Sequence, residues 1–331
     1  TMIAEYIAGV DIGGTKIIAT IADATGIKAR VYQHTQLQGD ILTIPKQVYY
    51  LIQKTAEYAG IHYEEVKAVG ISTCSPFQKK GNYKEIVAPN LCGGLTGNDR
   101  LPNSWHSIPL EEFFNGLYSH VVVENDCVAA VVAEKLFGAG KLYDNLVYVT
   151  WSTGIGAGAY VDGKLIRGKN GNAPHFGHIY MLEDGPQCGC GNYGDLEAIA
   201  SGTAIARDYR VHSAKEVFDN YRKGDTKAIH IVHRAARNFA RGLASLNALF
   251  DTEYIVLGGS VMNDSDILLP LIREEFYSSF PVLSKSVIIE KSVLFEYIAD
   301  ISALSLVMPA SWIESWRTYT PWMNAPELIK L

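Results

Sequence analysis

Two glycine-rich stretches contain the residue types that phosphate binding requires. The first is Asp11-Ile-Gly13-Gly14-Thr15-Lys16. Adjacent glycines let backbone N–H groups approach a polyphosphate, because no side chain blocks them. Thr15 can add a hydroxyl donor, and the Asp11 carboxylate suits a magnesium-bound water. An ordinary Gly-Gly hairpin turn explains the same residues, and the spacing of a Walker loop is absent.

The second stretch runs from Thr150 to Gly158 and contains Thr153-Gly154. Its glycines alternate and the strand-like segment Ala159–Asp162 follows, so the dinucleotide-binding fingerprint does not fit. A glycine-rich hairpin is the alternative interpretation. A third candidate is Gly258-Gly259, at the end of an apolar strand, where a purine ring or ribose could lie against the backbone.

Two further groups of polar residues have the types needed for proton transfer and metal binding. Asn125-Asp126 lies where an apolar strand meets a helix, a position at which a carboxylate can be held rigidly. From spacing alone, an N-cap is the better interpretation of Asp126. The close pair Cys188-Gly-Cys190 suits a metal better than a disulfide, although two reduced cysteines in a glycine loop would have the same spacing.

Composition limits the classes of protein to consider. The chain has 331 residues, of which 48% are hydrophobic and 19% charged, and its formal net charge is -6. A large core is therefore expected, whereas a general binder of nucleic acid or of an anionic membrane is not. No apolar run reaches the ~20 residues of a membrane-spanning helix. We expect no secretory signal, and five cysteines with the close pair fit a reducing cytoplasm.

The strands and helices that must position these residues are predicted from the apolar runs and from the places of glycine and proline between them. Strands are predicted at Tyr6–Ile12 and Lys16–Asp23, joined by the first glycine turn as a hairpin. A helix is predicted from about Pro45 to Tyr58, because proline is favoured in a first helical turn. Further predicted elements are the strands Val66–Ser72, Val121–Glu124, Leu146–Thr150 and Ala159–Asp162, and the helix Asp126–Phe137.

The second half of the chain repeats the order strand, glycine turn, strand, with Ser152–Gly158 as the turn. Such a duplication predicts two lobes, each with a glycine hairpin, and a ligand cleft between them. We expect a small lobe at 1–122, a large lobe at 123–300, and a C-terminal helix and tail at 301–331 packing back on the small lobe. In that tail, Trp312, Trp316 and Trp322 are expected to be buried.

The residues together resemble the ROK family of sugar kinases and sugar-responsive repressors, in the actin/hexokinase superfamily. The match runs from Gly9 to about Val307 and rests on six motifs in the family's order: Gly9-Val-Asp-Ile-Gly-Gly-Thr-Lys16, Val123-Glu-Asn-Asp126, Ser152-Thr-Gly-Ile-Gly156, His175-Phe-Gly-His178, the run from Cys188 to Glu197, and Gly258-Gly259. The resemblance implies an α/β, two-lobed actin-like (ribonuclease H-like) fold. Gly70-Ile-Ser-Thr73 and the run from Glu183 to Cys188 look most like N-acetylmannosamine kinases.

The resemblance also implies roles for individual residues. It implies that Asp126 is the general base. It also implies sugar contacts at Ser75, Asn90, Asn125, His175, His178 and Glu197. ATP with Mg²⁺ is expected at Asp11, Gly13, Gly14, Thr15, Lys16, Thr153, Gly154, Gly258 and Gly259. His178, Cys188, Cys190 and Asp195 resemble the ligands of a structural Zn²⁺.

Two positions depart from the family pattern. The family usually carries a glutamate near C1 and C2 of the sugar where this chain has His175, and a third cysteine where it has Asp195. We therefore expect altered selectivity at C2 and a mixed N/O/S metal site.

The predicted function is ATP-dependent phosphorylation of the 6-hydroxyl of N-acetylmannosamine or N-acetylglucosamine, in a cytoplasmic homodimer. Glucose is the alternative substrate, and polyphosphate is not excluded as the donor. A repressor is disfavoured, because the phosphate loop begins at Asp11 and repressors carry a helix-turn-helix before it. A silent sugar-binding protein is disfavoured because the base and both loops are intact. The expected partners are thus a sugar and a nucleotide, with neither nucleic acid nor membrane.

Overall fold

A computed structural model describes residues 5–96 and 100–331 of the chain. The strands of this part are β1 (Tyr6–Ile12), β2 (Lys16–Asp23), β3 (Gly26–His34), β4 (Val66–Thr73), β5 (Phe77–Lys80), β6 (Tyr83–Ile86), β7 (His120–Asn125), β8 (Leu146–Trp151), β9 (Ile155–Val161), β10 (Lys164–Leu165), β11 (Tyr254–Gly258), β12 (Ile288–Lys291) and β13 (Leu328–Lys330). The α-helices are α1 (Thr43–Tyr58), α2 (Leu110–Phe114), α3 (Asp126–Phe137), α4 (Leu196–Ala200), α5 (Gly202–Tyr209), α6 (Ala214–Arg222), α7 (Thr226–Phe250), α8 (Ser265–Ser278), α9 (Pro281–Ser284), α10 (Ile298–Ser305) and α11 (Ala310–Tyr319).

The chain divides into two units, each with its own sheet and core. The first unit contains the described residues up to Gly138, together with Arg167–Asn172 and Glu296–Leu331. The second unit contains Ala139–Ile166 and Ala173–Phe295. Within the described residues, no helix is both long and apolar enough to cross a membrane.

The first unit is built on a six-stranded sheet in the order β13-β3-β2-β1-β4-β7. β1, β2 and β3 are antiparallel neighbours, whereas β4 and β7 run parallel to β1. Helix α10 packs against β1, β4 and α3. Its backbone approaches so closely that a Cβ on Gly70 would lie 2.0 Å from the Ala303 oxygen. Glycine at position 70 therefore lets α10 pack against this sheet.

The C-terminal segment is part of the first unit. β13 pairs with β3, and the Trp316 indole Nε1 donates a hydrogen bond to the Ala24 oxygen at 3.2 Å. Trp312, Trp316 and Trp322 are all buried, as expected from their area. The ring of Trp322 lies 5.2 Å from that of Phe137 at the C-terminal end of α3.

The second unit is built on a five-stranded sheet in the order β10-β9-β8-β11-β12. The long helix α7 begins at its N-cap Asp225, whose carboxylate accepts a hydrogen bond from the Ala228 N–H. Apolar side chains at helical spacing then bury one face of α7, including Phe239, which stacks on the Trp151 ring at 4.0 Å. The core of this unit combines buried side chains of the sheet with those of α5, α6, α7 and α8.

The predicted elements are confirmed in type; β4, β7 and β8 differ from the predicted bounds by one residue at one or both ends, and two elements differ by more. α1 begins at Thr43, two residues before the predicted start at Pro45. The predicted turn Ser152–Gly158 is wrong in its second half, because β9 already begins at Ile155. Gly156 and Gly158 pair with Thr150 and Tyr148 of β8, so these alternating glycines belong to a strand. Only Ser152–Gly154 remains as the turn, since the backbone ladder continues through residues that lack a side chain.

Candidate active site

The junction of β7 and α3 holds the proposed base. Asn125 is the N-cap of α3, and its side-chain oxygen accepts hydrogen bonds from the N–H groups of Cys127 and Val128. Its amide Nδ2 donates to the Ser75 hydroxyl at 2.6 Å. Asp126 is the first residue of the helix, so the N-cap interpretation of Asp126 is wrong. Its carboxylate accepts a hydrogen bond from the Cys127 N–H at 2.9 Å.

A buried ion cluster lies directly before this junction, and the sequence analysis missed it. The Glu124 side chain is 3% exposed and accepts hydrogen bonds from Lys84 Nζ at 3.1 Å and from Arg167 Nε at 2.8 Å. Lys84 Nζ also donates to the Val123 oxygen at 2.6 Å. The cluster thus ties the β5–β6 hairpin and the Arg167 segment to the end of β7. No local sequence motif predicts this cluster, because Lys84, Glu124 and Arg167 are far apart in the chain.

Two carboxylates of the first unit have raised pKa values. Burial of the Asp11 carboxylate, followed by the charge of Asp126, raises the pKa of Asp11 to about 7, against the opposing effects of Ser72 and Lys16. The pKa of Asp126 is also raised, because nearby protein atoms displace much of the water around its carboxylate. Part of the side chain is still accessible to solvent. Perturbed carboxylates of this kind are common where proton transfer or cation binding takes place.

The first glycine loop forms the tight hairpin between β1 and β2. The Gly13 N–H donates to the Lys16 oxygen at 3.0 Å, and the Thr35 hydroxyl donates to the Gly13 oxygen at 2.7 Å. A Cβ on Gly14 would lie 3.5 Å from Nδ2 of Asn90, so this loop and Asn90 are neighbours. Thr15 and Lys16 are exposed at the turn.

The second glycine loop is the turn between β8 and β9. The Ser152 N–H donates to the Gly154 oxygen at 2.9 Å, and the Gly202 N–H donates to the Ser152 oxygen at 2.7 Å. The Thr203 hydroxyl donates to the Thr153 oxygen at 2.9 Å. Two hydrogen bonds from the first residues of α5 therefore hold the backbone of this loop.

The second unit contains a cavity of about 710 Å³ beside this loop. Thr153 lines this cavity, as does Ser260, which follows Gly258-Gly259. Cationic, acidic, polar and apolar side chains share the rest of the lining, which offers hydrogen-bonding and apolar contacts to a nucleoside. Among the lining residues not predicted from the sequence are Thr203, Arg207, His212, Lys215, Phe218, Asp219, Asn263 and Asp264.

Glycine is required at the end of β11. Gly259 has φ +90°, and a Cβ there would lie 2.3 Å from the Trp151 oxygen. A Cβ on Gly258 would lie 2.2 Å from the Tyr148 hydroxyl. These two glycines therefore fit the close packing of β11 on β8, in addition to any contact with a ligand.

His175 precedes a short 3-10 turn, Phe176–His178, and His178 is its last residue. Their rings stack with centroids 5.4 Å apart. Burial and the neighbouring His178 lower the pKa of His175, which favours the uncharged form of its imidazole. A Cβ on Gly177 would lie 2.1 Å from the Ile155 oxygen, so this glycine lets the turn pack directly on β9.

His178, Cys188, Cys190 and Asp195 form a cluster whose potential ligand atoms all lie within 4.8 Å of one another. His178 Nδ1 is 3.0 Å from Asp195 Oδ2 and 3.8 Å from Cys188 Sγ, and Cys190 Sγ is 3.4 Å from Asp195 Oδ2. A tetrahedral Zn²⁺ with bonds of about 2.0–2.3 Å would have edges of roughly 3.3–3.8 Å. The four residues fit that ion in chemistry and spacing.

Asp195 also has a structural role. Its Oδ1 accepts a hydrogen bond from the Ala198 N–H at 2.9 Å, which caps α4. Burial acts to raise the pKa of Asp195, but hydrogen bonds from Ala198, His178 and the two thiols outweigh it and lower the pKa. Asp195 is therefore suited to remain an anionic, oxygen-donating member of the cluster.

The predicted site residues thus form two groups, one in each unit. The first unit brings together Asp11, Gly14, Ser75, Asn90, Asn125 and Asp126. The second unit brings together the second glycine loop, Glu197, the two histidines and the cysteine cluster. The roles predicted for these residues stay proposals.

Comparison with known proteins gives a consistent picture. The family model described as "ROK family" matches residues 7–281. The glucokinase of Thermotoga maritima is 31% identical over 288 residues, which cover 81% of this chain and 86% of that protein. The N-acetylmannosamine kinase of Escherichia coli is 31% identical over 257 residues, covering 76% and 82%. A ROK family glucokinase from Streptomyces griseus, solved with glucose and AMPPNP, is 28% identical with a TM-score of 0.71, covering 91% of this chain and 98% of the other. The predicted α/β, actin-like fold is thereby confirmed.

Proposed function

This chain belongs to the ROK family and is an ATP-dependent sugar kinase, and we propose that it phosphorylates the 6-hydroxyl of an N-acetylated amino sugar. N-acetylmannosamine and N-acetylglucosamine are the proposed acceptors. The observation that carries the choice is His175, an uncharged imidazole where the family usually has a carboxylate. A neutral histidine donates or accepts one hydrogen bond but offers no negative charge to a pair of hydroxyls. An acetamido group at C2 suits it better than a free hydroxyl.

The proposed reaction transfers the γ-phosphoryl group of ATP to the sugar oxygen and releases ADP. Asp126 accepts the proton of the 6-hydroxyl as the new O–P bond forms. Its raised pKa brings its basicity closer to that task. Asn125 and Ser75, already hydrogen-bonded to each other, orient the neighbouring hydroxyls, together with Asn90.

The proposed phosphate contacts of the nucleotide are Gly13, Gly14, Thr15 and Lys16 in the first glycine loop and Thr153 and Gly154 in the second, because adjacent or alternating glycines leave backbone N–H groups open to phosphate oxygens. The nucleoside would occupy the 710 Å³ cavity, with Gly258 and Gly259 at its edge. Bound Mg²⁺ neutralises charge that develops on the phosphates, and Asp11 would hold one of its waters.

A structural Zn²⁺ is proposed at His178, Cys188, Cys190 and Asp195. The loop that follows Glu183 contains Gly185, Gly189, Gly191 and Gly194, so it has high conformational entropy when it is not held. A metal that joins its two ends would stabilise the fold around His178 and Glu197.

Glucose is the second candidate, because the Thermotoga relative is a glucokinase with comparable identity. A coupled ADP-release assay with N-acetylmannosamine, N-acetylglucosamine, glucose and mannose separates the two. We expect the highest kcat/KM for an acetamido sugar. A clearly higher value for glucose would overturn the amino-sugar assignment.

Three further features stay predictions with simple tests. Replacing ATP by polyphosphate in the same assay identifies the donor. A homodimer should sediment at twice the chain mass of 36.3 kDa. The five cysteines are free thiols, which fits a cytoplasmic location, and fractionation of cells tests that location.

A further inference from the structure

The carboxylate of Glu197 lies between the second glycine loop and the cysteine cluster. Its Oε1 accepts a hydrogen bond from the Ile155 N–H at 2.9 Å. Its Oε2 lies 3.5 Å from Cys188 Sγ. The side chain is half-buried, so neither contact is a fully solvated surface contact.

The Glu197 carboxylate occupies the space that a side chain at position 154 would need. A Cβ at Gly154 would lie 2.5 Å from Glu197 Oε1, closer than real Cβ contacts allow. The oxygen of the same residue accepts the Ser152 N–H, which closes the turn. The Ile155 N–H that donates to Glu197 is the first backbone donor after this turn, so the carboxylate contacts the backbone directly at the end of the turn.

The position of Glu197 is itself set by several contacts. It lies in the first turn of α4, which Asp195 caps. Its Cβ would be 3.4 Å from a Cβ on Gly177, in the turn that carries His178. The orientation of Glu197 thus depends on α4 and on the Phe176–His178 turn. Its Oε1 accepts the hydrogen bond from Ile155, the residue that follows the Ser152–Gly154 turn.

We propose that Glu197 is a positioning residue for the nucleotide, in addition to the sugar contact assigned to it above. By holding the Ile155 N–H, it keeps the Ser152–Gly154 turn in the shape that receives the phosphates. The inference rests on the proposed use of this turn for ATP. A residue that contacted only the sugar would have no influence on nucleotide binding when sugar is absent.

The test is AMPPNP binding with Mg²⁺ and without sugar, measured by isothermal titration calorimetry. Glu197→Ala removes the acceptor and should weaken binding about 10-fold, as expected for loss of a hydrogen bond to a charged group. Glu197→Gln keeps an oxygen that can accept the Ile155 N–H and should stay within about 3-fold. Glu290→Gln, an exposed carboxylate on β12, is the control for loss of one charge and should bind normally.

A second variant tests the geometry from the other side. Gly154→Ala changes neither Glu197 nor any of the four cluster residues, but its new Cβ must push the Glu197 Oε1 away from its present position. We expect the same weakening of AMPPNP binding as in Glu197→Ala, with the zinc content of the unaltered protein. This variant also carries the test if Glu197→Ala does not fold.

One result would contradict the role of Glu197, and another would contradict the nucleotide site itself. If Glu197→Ala and Gly154→Ala bind AMPPNP within twofold of the unaltered protein, Glu197 does not position the loop. If the unaltered protein itself binds no AMPPNP, the proposed nucleotide site is wrong, and the inference falls with it.

Discussion

The charge of Asp126 is, after burial, the strongest influence raising the pKa of Asp11, which reaches about 7. The two carboxylates belong to the same unit, one in β1 and one at the start of α3. Lys16 and the Ser72 hydroxyl, 3.2 Å from Asp11 Oδ1, only partly offset the effect. Such a raised pKa favours the protonated form of Asp11 more than in an unfolded chain, and a bound cation would shift the group toward the anion.

The raised pKa of Asp11 makes the unfolding free energy depend on pH. Its pKa is about 7 in the folded chain and 3.8 in an unfolded one, so the folded protein binds more protons between these values. Stability therefore falls as pH rises from about 4 to 7 through this group. Asp11→Asn should raise the melting temperature at pH 7.5, change it little at pH 4, and abolish activity.

Thermal unfolding from pH 4 to pH 8, without ligands, measures this difference. Glu57→Gln removes one exposed carboxylate of α1 and is the control for a general charge effect. Equal melting temperatures for Asp11→Asn and the unaltered protein at pH 7.5 would contradict the prediction.

Asp126→Asn tests the proposed general base. We expect kcat to fall by at least the ~10²-fold typical of general-base loss, with the sugar dissociation constant largely unchanged. Helix α3 should remain intact, because Asn125 supplies its N-cap. Steady-state kinetics and sugar titration by calorimetry give the two quantities. Near-normal turnover would remove Asp126 from the mechanism.

His175→Glu tests the origin of sugar selectivity. The substitution restores the carboxylate that the family usually carries, which can accept hydrogen bonds from two neighbouring hydroxyls. We expect the ratio of kcat/KM for glucose to that for N-acetylmannosamine to rise at least 10-fold. His175→Gln, a neutral residue with similar hydrogen-bonding capacity, should leave the ratio near that of the unaltered protein. An unchanged ratio in His175→Glu would separate this position from selectivity.

The cysteine cluster is tested by metal analysis. We expect one zinc per chain, and its loss in Cys188→Ser, with a lower melting temperature and a higher KM for the sugar. Cys92→Ser changes a buried cysteine of the first unit and is the matched control for losing a thiol. A zinc-free preparation with full activity and an unchanged melting temperature would show that Cys188 and Cys190 only pack.

Gly70→Ala tests the close packing of α10 on the sheet. The added Cβ would lie 2.0 Å from the Ala303 oxygen, which is backbone and cannot rotate away. We expect a loss of stability of at least about 2 kcal/mol, typical of overpacking in a core. Gly81→Ala meets no atom within 4 Å and has only the cost of φ +63°, about 1 kcal/mol. Urea unfolding compares the two, and a smaller loss for Gly70→Ala would contradict the prediction.

Local elements could be predicted from the sequence because they depend on neighbours in the chain. The hairpin of β1 and β2 follows from the two short apolar runs on either side of Gly13-Gly14, and the predicted helix Asp126–Phe137 has the bounds of α3. The six family motifs, taken in order, also identified the residues that carry the proposed chemistry. The end of the second glycine turn was not predictable, since Gly156 and Gly158 are compatible with either a loop or a strand.

The packing of distant segments was decided only by the tertiary structure. Arg167 and Lys84 both contact Glu124, α10 packs on Gly70, and Lys215 and Asn263 line the same cavity. The contact between Glu197 and Ile155 belongs to this class, because 42 residues separate its partners. Residue type and spacing indicate what a side chain can do, whereas its partner depends on which strands pair and which helix covers them.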